Sequence, residues 1–165
     1  MTIRVLLVDD SLFIRVMIKK IIDADPRFEV VGEAKDGQTA LSLLDEVRPQ
    51  VITMDVNMPG MDGVTCVAAI MQRRPTPVVM LSAHTSEGAR VTLDALAAGA
   101  VDFLEKPSGE ISTDLPAIGS LLLDKLATAA RASVRRPAIP GAPVPRVSEP
   151  RAHADATKRL VVLGA

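Results

Sequence analysis

Five polar side chains stand at or just past the ends of short apolar runs: Asp9 and Asp10, Asp55, Ser82, and Lys106. The runs are residues 4–8, 51–54, 78–81 and 101–104, built mainly of Val, Leu, Ile and Met. If these runs are parallel strands of one open sheet, their polar successors meet in the crevice outside the carboxyl ends. Three carboxylates gathered there repel one another, and a divalent cation with oxygen ligands, Mg²⁺, is the simplest resolution. A lysine and a hydroxyl on the far side suit the oxygens of a phosphoryl group, one as a point charge and the other as a donor. A carboxylate held beside Mg²⁺ can attack phosphorus to give an aspartyl phosphate. The chemistry is that of a phosphoryl acceptor.

The elements that must position these groups can be read from the hydrophobic period. After residues 4–8, Ile14, Met17, Ile18 and Ile21 recur at i, i+3, i+4 and i+7, which predicts a helix. Residues 28–32 read as a second strand, and Ala40, Leu43, Leu44 and Val47 repeat the helical stripe behind Asp36 and Gly37, a cap and turn. Residues 51–54 form a third strand, followed by a loop that holds Pro59-Gly60 and Asp62-Gly63, then by a stripe of Val64, Val67, Ala68 and Met71. Strand 78–81 precedes a helix whose inner face is expected to be Leu93, Leu96, Ala97 and Ala100. Strand 101–104 precedes a fifth stripe of Leu115, Ile118, Leu122, Leu126 and Ala129. Five strand–helix pairs with short connections predict an α/β fold, a doubly wound five-stranded parallel sheet in the flavodoxin-like order 2-1-3-4-5. A closed eight-fold barrel needs about 200 residues or more and is excluded by length.

Composition narrows the rest. The chain has 165 residues, 48% of them hydrophobic, enough for a sizeable core. One cysteine, Cys66, excludes an internal disulfide scaffold, and Cys66 reads as a small packed residue. With three Phe and no Trp or Tyr, stacking platforms for bases are nearly excluded. Residues 1–107 hold 11 Lys and Arg against 15 Asp and Glu, whereas residues 108–165 hold 8 against 5. That dispersed basic excess does not make a nucleic-acid arm. No apolar run approaches the ~20 residues of a membrane span, and the first residues reach Asp9 before a signal core could form, so a cytoplasmic protein without membrane insertion is expected. Residues 134–150 carry five of the twelve prolines and no apolar period. The expected organisation is a phosphoacceptor domain at 1–131, a Pro-rich linker at 132–157 and a lone strand at 158–165. A strand with nothing to pair with predicts that the sequence stops at the threshold of a second domain.

Four motifs in order, Val8-Asp9-Asp10-Ser11, the run from Met54 to Gly63 around Asp55, Leu81-Ser82-Ala83, and Phe103-Leu104-Glu105-Lys106-Pro107, resemble the response-regulator receiver domain of two-component signalling. The resemblance implies that Asp55 is the phosphoacceptor and that Asp10, Asp55 and the backbone carbonyl of Asn57 bind the metal, with Asp9 assisting through water or directly. It implies that Lys106 pairs with the phosphoryl oxygens, and that Ser82 and Phe103 change conformation together on phosphorylation. A histidine kinase would supply the phosphoryl group. The segment from Ser82 to Ala89, Gly99 to Phe103 and the closing Leu160-Val161-Val162-Leu163-Gly164-Ala165 further resemble the regulatory half of the chemotaxis protein-glutamate methylesterase. That implies a C-terminal catalytic domain, absent here with its nucleophilic serine, that hydrolyses methyl esters and deamidates glutamines on chemoreceptors.

Each residue has a simpler reading taken singly. Asp10 could serve a helix N-terminus, Ser82 a cap, Phe103 the core, and Lys106-Pro107 a solvated loop or a cis peptide turn. His84 reads as a loop residue, with no metal-ligand spacing to His153. Those readings would have to hold at four strand ends at once. Two other functions compete: a transcription regulator lacking its DNA-binding domain, and a stand-alone Mg²⁺ phosphatase. The first needs a helix-turn-helix where an apolar strand is predicted. The second, in haloacid-dehalogenase fashion, wants an acid two residues after the nucleophile, where Asn57 stands.

Overall fold

The computed structural model describes residues 1–83, 88–106 and 115–135. Strands and helices alternate in the order β1 (Ile3–Val8), α1 (Leu12–Asp23), β2 (Phe28–Ala34), α2 (Gly37–Val47), β3 (Val51–Asp55), α3 (Gly63–Arg73), β4 (Val78–Ser82), α4 (Gly88–Ala98), β5 (Asp102–Glu105) and α5 (Leu115–Ala130). Every strand pairing is parallel and the sheet runs β2-β1-β3-β4-β5, the doubly wound flavodoxin-like order expected from the sequence. The order reverses between β1 and β3, so a crevice opens at their carboxyl ends. The linker beyond residue 135 and the strand at 158–165 lie outside the described residues.

Successive residues of each strand feed opposite cores. Leu6, Val8, Ile52, Met54, Val78 and Met80 pack under α2, α3 and α4; Val5, Leu7, Val51, Val79, Leu81 and Leu104 pack under α1 and α5. Burial on both faces is why the strands read as unbroken apolar runs. β3, the central strand, is buried along its whole length, Asp55 included. Three helices start on side-chain caps that accept a backbone N–H: Ser11 from Ile14, Asp36 from Thr39 and Asp62 from Thr65. Among the described residues, no helix is long and apolar enough to cross a membrane.

The helical stripes were right in period and wrong in places about phase. On α1 the deepest residues are Ile18 and Ile22, with Ile14 and Ile21 at the margin. On α3, Cys66 and Ile70 enter the core beside Val67 and Met71, whereas Ala68 is exposed. On α4 the expected inner face is largely the outer one. Leu93 is 68% and Leu96 41% exposed, Ala97 is exposed, and Ala95 is the buried residue of that turn. The cause lies at the helix end. Gly99 has φ +115°, and a Cβ there would meet Met71 Cγ at 2.8 Å, so α4 closes tightly against α3. The Ala100 amide donates to the Ala95 carbonyl, and near this close approach the inward positions of α4 are the small Ala95 and Ala98, with Val91 a turn earlier.

This inversion is measurable by urea denaturation followed by far-UV circular dichroism. Ile70→Ala should cost about 2–4 kcal/mol, as a cavity in a dry core does. Leu96→Ala should stay within about 0.5 kcal/mol of the parent. A cost for Leu96→Ala approaching that of Ile70→Ala would restore the original phase.

Candidate functional site

The crevice is built by three strand ends. β1 delivers Asp9 and Asp10 on a three-residue turn into α1. The Asp9 amide donates to the Ala34 carbonyl at 3.1 Å, tying the turn to β2, and its Oδ1 accepts the Ser11 amide at 2.9 Å. Asp9 is 2% exposed, whereas Asp10 is exposed at the mouth. β3 ends on Asp55, also 2% exposed, whose Oδ1 accepts the Asn57 amide at 3.2 Å. The loop returns so closely that the Gly63 amide donates to the Val56 carbonyl at 2.9 Å, and a Cβ on Gly63 would lie 2.1 Å from the Asp55 carbonyl oxygen. A side chain at residue 63 cannot enter without moving the strand end that carries Asp55.

β5 supplies the cation. Lys106 Nζ lies 2.7 Å from Asp9 Oδ2 and 2.8 Å from Asp55 Oδ1, with its side chain 13% exposed. Its amide donates to the Ser82 carbonyl at 2.8 Å, so the ends of β4 and β5 are stitched together beneath the ammonium. Burial pushes the Asp55 carboxyl up to about 6, assisted by the Asp9 charge and opposed by Lys106 and the Asn57 amide. For Lys106, burial works against the charged form, yet its two carboxylate partners outweigh it and leave its pKa raised.

Asp9, Asp10 and Asp55 each offer an oxygen, all within 4.8 Å of one another. Three carboxylates face one ammonium, and the buried Asp9 Oδ2 meets Lys106 at ion-pair distance without an oriented hydrogen bond. A site of converging hard oxygens with excess negative charge and unspent lone pairs fits Mg²⁺.

Of the residues singled out by sequence, Asp9, Asp10, Asp55 and Lys106 therefore meet in one place, with Asn57 exposed beside them. Ser82 closes β4 half-buried, opposite Glu105 of β5. Phe103 does not join the core. It is 46% exposed on β5, with Lys125 Nζ 5.8 Å from its ring centroid and that ammonium also 2.8 Å from Asp102. His84 and Pro107, with the proposed cis bond, lie outside the described residues. Sequence reasoning missed Arg15, whose Nη1 donates to the Asp9 carbonyl at 2.7 Å. Its only advance signal was its place one helical turn past the Ser11 cap.

Residues 5–113 match the response regulator receiver domain family. A protein-glutamate methylesterase/protein-glutamine glutaminase of Symbiobacterium thermophilum is 49% identical over 144 residues, covering 86% of this chain and 40% of that protein. The chain thus spans less than half the length of such curated relatives. Among solved structures, the response regulator domain of Thermotoga maritima CheB aligns with a TM-score of 0.74 at 46% identity, covering 81% of this chain and 99% of that one. The REC domain of AraT, a response regulator from Geobacillus stearothermophilus, aligns with a TM-score of 0.62 at 30% identity, covering 78% and 98%.

The buried Asp55 charge has a consequence for stability. Its folded pKa, about 6, is above the ordinary 3.8 of the unfolded chain. Above pH 6 the folded state bears the cost of the charge; as pH falls from 6 to below 3.8 that cost is relieved, because the folded form takes the proton first. In chelator, Asp55→Asn should therefore stabilise the domain at pH 7.5 by on the order of 2 kcal/mol, with the advantage shrinking below pH 6 and vanishing only below the unfolded pKa of 3.8. A pH-independent difference between the two proteins would contradict this origin.

Proposed function

The chain belongs to the response regulator receiver domain family, and from that premise we propose that it is a phosphorylation-controlled switch with Asp55 as the acceptor. One observation carries the reading: a carboxylate ending the central strand, buried, 2.8 Å from a lysine ammonium and beside two further carboxylates. With a pKa of about 6, Asp55 is mostly ionised at neutral pH and available as a nucleophile. Its oxygen attacks the phosphorus of the donor's phosphohistidine, the phosphorus–nitrogen bond breaks, and Asp55 becomes the aspartyl phosphate. Asp10, Asp55 and the Asn57 carbonyl would hold Mg²⁺, with Asp9 directly or through water. When bound, the ion neutralises charge on the transferring oxygens. Lys106 exchanges its Asp55 carboxylate contact for a phosphoryl oxygen, and the Ser82 hydroxyl donates to another.

The donor is a histidine kinase, cytoplasmic like this chain. Helix α1 supports a protein donor, because Leu12 and Phe13, next to the acidic turn, are both well exposed and form an apolar rim. Downstream, Ser82 drawn to the phosphoryl group and Phe103 moving inward alter the face formed by α4, β5 and α5. By similarity to the methylesterase, residues 132–157 link this domain to a catalytic domain that begins at residue 158. Phosphorylation relieves a block on that domain, which acts on chemoreceptors. The rival output, DNA binding, has less support: the relative at 49% identity is a methylesterase/glutaminase.

Acetyl phosphate with Mg²⁺ should add one phosphoryl group to the chain, read by intact-mass spectrometry, and EDTA or Asp55→Asn should abolish it. Undiminished labelling of Asp55→Asn would sink the assignment. Lys106→Ala should still be labelled while methylesterase activity of the two-domain protein no longer responds to it.

A further inference from the structure

The turn between β1 and α1 carries two of the three clustered carboxylates on the residues Asp9, Asp10 and Ser11. Mutual repulsion tends to splay such a turn and swing Asp10 outward. Two contacts hold its start, the Asp9 amide on Ala34 and the Ser11 amide on Asp9 Oδ1. A third comes from an unexpected direction. Arg15 folds back from the first turn of α1, and its Nη1 lies 2.7 Å from the Asp9 carbonyl oxygen and 3.4 Å from that of Asp10. The side chain is 14% exposed, and its Nε lies 3.7 Å from the Glu33 carboxylate near the end of β2.

We propose that Arg15 is a positioning residue, a cationic clamp on the main chain of the acidic turn that keeps Asp9 and Asp10 converged with Asp55. The inference rests on the metal-dependent acceptor reading above. Its physical basis is which oxygens the two nearby cations occupy. Lys106 balances the negative charge by taking up carboxylate oxygens of Asp9 and Asp55. Arg15 supplies a permanent positive charge through the peptide carbonyls of Asp9 and Asp10 and not through their carboxylate oxygens. A charged guanidinium donating to a carbonyl makes a shorter and stronger contact than a neutral donor does, and the 2.7 Å bond to Asp9 is of that kind. Glu33 holds the opposite edge of the guanidinium, so the clamp is itself anchored to the neighbouring strand.

The test uses the chain as it stands, with Mg²⁺ titrated by calorimetry and amide hydrogen exchange followed without metal. Arg15→Met, which keeps the stem and removes every donor, should weaken Mg²⁺ binding about tenfold, the usual cost of losing a group that orients a ligand. It should also speed exchange at Ser11 while leaving β4 and α3 unchanged. Arg15→Lys, with a charged donor restored, should recover most of the affinity, which a merely structural role would not predict. Unchanged affinity and exchange in Arg15→Met overturn the proposal, as does exchange accelerated throughout the domain with no rescue by Arg15→Lys. If Arg15→Met does not fold, Glu33→Gln loosens the clamp from its far end and should weaken binding by less than the about tenfold expected at Arg15 itself; unaltered binding then counts against it. Should the folded wild type bind no Mg²⁺, the acceptor reading fails, and exchange at Ser11 alone decides the clamp.

Discussion

The structure is organised around negative charge held where water is scarce. Asp9 and Asp55 are each 2% exposed at the carboxyl edge of the sheet. Burying a carboxylate costs several kcal/mol unless it is paired and hydrogen-bonded. Lys106 provides the pairing and the Ser11 and Asn57 amides the hydrogen bonds. For one ammonium to reach both carboxylates, β1, β3 and β5 must end at one level, and the parallel register of the sheet sets that level. The pairing is incomplete, since three carboxylates face one lysine, and that deficit makes the pocket receptive to a cation. Perfect neutralisation would have left a stable core with nothing to bind.

Backbone geometry carries as much of the site as side chains do. The loop after Asp55 must turn back within a few residues, and Gly63 permits this because its α-carbon sits against the Asp55 carbonyl. Asp62, just before it, caps α3 through the Thr65 amide. The same short segment therefore ends the acceptor strand, starts the helix that covers it and excludes any side chain between them. At the other strand end the Lys106 amide on the Ser82 carbonyl fixes the height of the ammonium above the sheet.

Much of this was legible in the sequence because apolar runs ending in polar residues obey a rule about where strands stop. Asp9, Asp55 and Lys106 could be placed together from that rule alone. Helix phase was less legible. On α4, Leu93, Leu96 and Ala97 satisfy a helical period as well as Val91, Ala95 and Ala98 do, and hydrophobicity favours the leucines. What selects the smaller residues is a close approach to Met71 at Gly99, a contact distant in sequence and invisible to periodicity. Arg15 was missed for a related reason. An arginine on the first turn of a helix has many uses, and only the folded turn reveals the carbonyls it reaches.

The misjudged helix phase bears on how a signal could leave the pocket. With Leu93 and Leu96 outside, α4 presents apolar surface to solvent, as Phe103 on β5 and Leu121 on α5 also do. The path from the pocket to that surface is short. Ser82 and Lys106 are joined through the backbone, and Phe103 of β5 lies three residues before Lys106, which directly follows that strand. Strand alternation sends Leu104 into the core and Phe103 outward, so β5 cannot shift at its carboxyl end without altering the seat of Phe103. There the ring is flanked by Lys125, whose ammonium is held by Asp102 on the same strand. A coupling built this way needs no long relay. On the proposed reading it needs one short strand, with Lys106 just past its end and Phe103 near its middle.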